Sequence, residues 1–164
     1  MRTSFALPFV LALPFLLPAC GGGSDPKALT DSGYDALGSG DHDGALADFE
    51  AAVAAIDSSH PQYLSAKMGE VEARMHVDAK QAEQDFLALA AGMPSKITDK
   101  DYSRIGSKFA GAGEFLSAIA VMDAGMKAHS ESPALAGLLE KIKSAAESAG
   151  DAGALSELEG LGYL

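Results

Sequence analysis

From Pro26 onward the apolar residues recur at helical spacing. Leu46, Phe49, Val53 and Ile56 form one stripe, and Leu64, Met68, Val71 and Met75 a second. Phe115, Ile119, Met122 and Met126 form a third, and Leu135, Leu139, Ile142 and Ala146 a fourth. Each set follows the i, i+3, i+4, i+7 rhythm of one helix face, and the two-residue alternation of a half-buried strand is missing. Short breaks at Gly40-Asp41, Gly111-Ala112-Gly113 and Gly150-Asp151 separate stretches that then reverse direction. Asp25-Pro26, His60-Pro61 and Ser132-Pro133 put proline where a first helical residue belongs, with Asp25 and Ser132 as natural N-caps. Thr98 and Asp101 have the spacing of a capping box. The pattern predicts an all-α chain of eight helices in four hairpins. Their spans are 26–38, 43–57, 61–76, 80–91, 98–110, 114–128, 133–149 and 152–161.

The hairpins repeat one another. Ala45-x3-Phe49, Ala82-x3-Phe86 and Ala118-x3-Met122 fall at matching places in successive second helices. Ala45 to Ala82 is 37 residues and Ala82 to Ala118 is 36, a period that points to a solenoid. The third unit carries Tyr102-x2-Ile105-Gly106-x2-Phe109 before Ala118-x3-Met122. Gly106 precedes Ala118 by 12 residues, as Gly33 precedes Ala45. On these residues the region 26–164 resembles the tetratricopeptide repeat, with its W-x2-L-G-x2-Y and A-x3-F signatures. The usual unit has 34 residues, so this spacing is longer. Met68-Gly69 stands one residue out of register, and the last unit has Lys143 and Glu159 where Gly and an aromatic belong. The resemblance implies a right-handed helix-hairpin solenoid of about four repeats whose first helices line a concave groove. Small residues at Gly106 and Ala118 then allow two helix axes to approach, with Phe109 and Met122 filling the space beside them.

The first 20 residues read differently. Arg2 is the only charge before Asp25, and Phe5–Leu17 is an apolar run too short to span a bilayer and interrupted by proline. It ends in Leu17-Pro18-Ala19-Cys20, followed by Gly21-Gly22-Gly23-Ser24. This resembles the lipobox of bacterial lipoproteins, in which the cysteine is acylated and becomes the new N-terminus. The resemblance implies a signal peptide at 1–19, a lipidated Cys20 with a flexible tether over 20–25, and a repeat domain over 26–164. Three acyl chains suffice for stable anchoring. With Gly rather than Asp at position 21, the resemblance implies the cell envelope, at the outer membrane in a Gram-negative host.

Charge narrows the function. Twelve Lys and Arg against 23 Asp and Glu give the chain a formal net charge of −11, which argues against nucleic-acid binding. Its single cysteine cannot close an internal disulfide or build a thiolate zinc site. No H-E-x-x-H, G-x-S-x-G or phosphate loop occurs, and the four histidines share no helix at i, i+4 spacing. Asp41-His42-Asp43 reads as a turn rather than a metal tripeptide, and the pairs Asp41/Asp43 and Glu70/Glu72 read as solvated surface. No catalytic, cofactor-binding or metal residue is therefore expected.

One basic feature stands apart. Lys100, Arg104 and Lys108 recur every fourth residue and share a helix face about 80° wide, while Lys67 and Arg74 lie seven apart on the first helix of the previous hairpin. In a tetratricopeptide-like groove these five residues form a basic strip suited to an acidic peptide or a C-terminal carboxylate. Alternatively they pair locally with Glu70, Asp99 or Asp101. The segment 20–59 is the opposite, with eight acids and only Lys27. The expectation is a lipid-anchored interaction module that recruits another envelope protein or peptide segment. The alternative is a self-associating spacer lipoprotein.

Overall fold

The computed structural model describes residues 25–164, so the signal segment, Cys20 and most of its tether lie outside the described residues. The chain is all-α, with eight helices and no strand among the described residues. They are α1 (Pro26–Ser39), α2 (His42–Ala54), α3 (Tyr63–Arg74), α4 (Ala79–Gly92), α5 (Asp99–Gly111), α6 (Phe115–Ala128), α7 (Pro133–Ala149) and α8 (Ala152–Gly160).

Aspartates start half of these helices. The carboxylates of Asp25, Asp41, Asp78 and Asp151 accept from the backbone N–H of Lys27, Gly44, Gln81 and Ala154 at 3.0–3.1 Å. Each satisfies a donor that the first helical turn leaves without a partner. The capping box before α5 forms, with the Asp101 carboxylate accepting from the Thr98 N–H at 2.9 Å. Gly40 and Gly150 close α1 and α7 in the left-handed conformation, at φ 82° and 69°.

Two expected starts differ. α3 begins at Tyr63 rather than at Pro61. Here the His60 ring nitrogen Nδ1 accepts from the Gln62 N–H at 3.1 Å, which holds 60–62 in a turn. Ser132 sits at the N-cap position of α7, but its side chain makes no cap hydrogen bond. Its hydroxyl instead donates to Asp99 at 2.7 Å, tying α7 to the start of α5.

The substantial helix contacts run only between helices one or two places apart along the chain. That is the signature of stacked hairpins rather than of a closed bundle. α1 packs on α3 and α5 on α7, whereas α3 and α5 make no comparable backbone contact. The second helices α4 and α6 carry the junction between hairpins two and three, helped by an edge-to-face contact of Phe86 with Tyr102 at 5.3 Å.

The interior is divided. A large cluster runs from Met68 to Leu158, through Phe86, Ile105, Phe109, Ile119 and Met122. A small separate cluster of Ala45, Phe49 and Ala73 joins the first hairpin to α3. Phe49 is fully buried and packs against both Gly33 of its own hairpin and Gly69 of the next. A Cβ at either glycine would overlap the ring. In the third hairpin a Cβ at Gly106 would fall 2.7 Å from Met122 Sδ. Met122 thus fills the notch over Gly106, in the way the shared spacing of Gly106, Ala118 and Met122 anticipates.

Candidate interaction face

Lys67 and Arg74 lie on α3 and Lys100, Arg104 and Lys108 on α5, and four of the five pair with carboxylates rather than form a bare basic strip. Glu70 and Glu72 are buried, each 6% exposed, rather than solvated. Asp41 and Asp43 do stay exposed. The correction follows from where the cations point. On α3, Glu70 lies between Lys67 at 2.7 Å and Arg74 at 2.8 Å, the i+3 and i+4 geometry of a helix surface. Arg74 also reaches Glu50 of α2 and, through Nε, Asp85 of α4, both at 2.8 Å. One guanidinium thereby ties three helices together.

Across the gap to α5, Glu72 takes both Arg104 at 3.3 Å and Lys108 at 3.1 Å. The local partners expected from α5 itself, Asp99 and Asp101, are engaged elsewhere, with Ser132 and Thr98. Lys100 is exposed one turn before Arg104.

Electrostatics divides this region in two. Around Arg74 the carboxylates dominate. Desolvation works against its charge, yet the hydrogen bonds it donates to Glu70 and Glu50 and the nearby Asp85 hold its pKa above the ordinary arginine value. Around Glu72 the cations dominate, because one carboxylate serves two of them. The Arg104 and Lys108 side chains remain 43% and 49% exposed while Glu72 beneath them is 7% exposed. A guanidinium has five N–H donors and an ammonium three, so both keep donors for a further acceptor. Beside Lys67 and Asp85 lies a shallow pocket of about 340 Å³, floored by Tyr63, Ala88, Leu89 and Met93.

Two arrangements were missed by the sequence reasoning. The Glu83 carboxylate is buried and accepts from the Ser117 hydroxyl at 2.8 Å, fastening α4 to α6. His42 and His76, from different hairpins, stack with ring centroids 3.7 Å apart and planes 12° from parallel. The i+3 and i+4 spacing around Glu70 was a readable signal. Pairs 34 residues apart along the chain carry none.

Among the described residues no group of three or more His, Cys, Asp or Glu is placed to hold a metal ion. No helix among them is long and apolar enough to cross a membrane. Searches of protein-family models, curated proteins and solved structures found no match to the chain.

Proposed function

We propose that the chain is an interaction module that docks a carboxylate-bearing segment of another protein on the α3–α5 face, and that acylation of Cys20 holds it at a membrane of the cell envelope. The observation that carries this reading is the pair Arg104 and Lys108. Both stand half-exposed over a single buried carboxylate, with Lys100 exposed on the same helix. Desolvating Glu72 is unfavourable unless it is well paired, and this arrangement fixes two cations in place with donors left over. The open array of hairpins supports the reading because it leaves the first helices α3 and α5 unobstructed by a returning segment. The Gly21–Ser24 tether supports anchoring at a short distance from the bilayer.

The test is a crosslinking pull-down with immobilised residues 24–164 against detergent-solubilised envelope proteins, beside a Lys100→Glu/Arg104→Glu variant. A dominant protein captured by the wild type and lost in the variant is the expected outcome. Equal capture by both moves the docking surface away from α5. No capture by either favours the self-associating spacer.

A further inference from the structure

We infer that His42 and His76 form an acid-sensitive joint that releases the first hairpin from the rest of the molecule when the pH falls. This does not depend on what the α3–α5 face binds.

The joint rests on geometry. His42 opens α2 and His76 follows the end of α3, so their stack bridges the first hairpin and the second. That bridge sits on the α2–α3 interface, the main contact of the first hairpin with the rest of the molecule. Its apolar cluster is separate from the main core and centred on one side chain, Phe49. Polar ties add to it: the Tyr34 hydroxyl donates to the Ser65 carbonyl at 3.0 Å, and Glu50 pairs with Arg74 at 2.8 Å. A region held by few apolar contacts opens at lower free energy than the core.

Two neutral imidazoles stack favourably at this distance, whereas two imidazolium rings repel. The groups facing the pair from each packed element are few. From α2 comes His42 itself, flanked along the chain by Asp41 and Asp43, which are exposed. From α3 comes Glu72, one turn before His76, already committed to Arg104 and Lys108. From α5 comes Lys108, whose ammonium opposes a second positive charge at His76. The His42 Nδ1 is buried without a hydrogen-bond partner, so no acceptor waits there for a proton. His42 also occupies the first position of α2, where the helix dipole disfavours a cation.

The direction of the pH effect follows. Partial desolvation of the otherwise exposed ring, then the charges of His42 and Lys108, hold the His76 pKa below its ordinary value. The unfolded or undocked chain therefore binds a proton more readily than the docked one. Docking is fully favoured above about pH 6.5, and its advantage is lost as the pH falls through the lowered value.

The experiment is hydrogen exchange read by mass spectrometry on residues 20–164 at pH 7.5 and 5.0, with intrinsic exchange rates divided out. Protection over α1 and α2 is expected to fall several-fold more than protection over α5–α7. The variant His42→Gln/His76→Gln should flatten that difference. A His60→Gln/His129→Gln variant removes the other two histidines and should keep it. Uniform loss across all helices, or an unchanged differential in the His42/His76 variant, overturns the inference. Imidazole resonances of the wild type provide a second reading that needs no variant. Titration of His76 as an unshifted group would also overturn it.

Discussion

At the residue scale, Phe49 and Met122 occupy equivalent places in their hairpins, each over a glycine, yet their surroundings differ. The Phe49 ring is rigid, fully buried and closely approached at the same ring atoms by both Gly33 and Gly69. A methyl group at Gly69 overlaps the ring more deeply than one at Gly33, where a Cβ position lies 2.8 Å from it. Met122 meets Gly106 with the flexible thioether end of its side chain. Gly69→Ala is therefore expected to lower stability more than Gly106→Ala. Overpacking of this kind typically costs about 1–3 kcal/mol, with Gly69→Ala near the upper end and Gly106→Ala near the lower. Urea denaturation of the two variants checks the order, and the reverse order would show that the Phe49 site relaxes more easily than its geometry indicates. Gly33 and Gly106 were legible in the sequence as small residues 12 positions before an alanine. Gly69 was legible only as a pair out of register, because its contact is with the hairpin before it rather than with its own.

At the element scale, eight helices were readable because apolar period, aspartate caps and glycine stops agree along the chain. Where the reading missed, a side chain had two uses for one hydroxyl or ring. Ser132 has the residue type and position of an N-cap, but Asp99 accepts its proton across 33 residues of sequence. That hydrogen bond holds the Asp99 carboxyl below the usual aspartate range. His60-Pro61 looks like a helix start, but the His60 ring captures the Gln62 N–H and delays it. The two serine and aspartate sites should therefore respond differently. Asp78→Ala removes a working cap from α4 and is expected to destabilise by about 1 kcal/mol, the usual value for a lost N-cap. Ser132→Ala removes no cap and should leave α7 exchange protection unchanged, while the Asp99 carboxyl moves up toward its ordinary pKa. Carbon-detected titration of Asp99 separates these outcomes, and fraying of the first turn of α7 in Ser132→Ala would contradict the assignment.

At the scale of the whole molecule, the weak seam is between hairpins two and three, where α3 and α5 stand apart and long side chains span the gap. Basic residues every fourth position along α5 were visible in the sequence, but their acceptor on another helix was not. A strip that reads as basic in one dimension is a network in three, with Glu50, Glu70, Glu72 and Asp85 set among Lys67, Arg74, Arg104 and Lys108. The two ends of the ion-pair range are both present. Lys27 and Asp31 pair on α1 with both side chains more than 60% exposed, a setting in which ion pairs contribute little or nothing to stability. Breaking a fully buried pair costs about 3–5 kcal/mol. Glu72, desolvated beneath two half-solvated cations, belongs between them. Glu72→Gln keeps the shape and removes the charge, and is expected to destabilise by about 1–2 kcal/mol, against no measurable change for Lys27→Met. Salt distinguishes the mechanism further. Screening weakens exposed pairs much more than shielded ones, so the Glu72→Gln deficit should persist at high salt. The same variant should raise hydrogen exchange at the facing turns of α3 and α5 more than at α7 and α8. If stability and exchange in Glu72→Gln match the wild type, then α4, α6 and the Phe86–Tyr102 contact hold the seam unaided. Arg104 and Lys108 would then be free to meet an acceptor outside the chain.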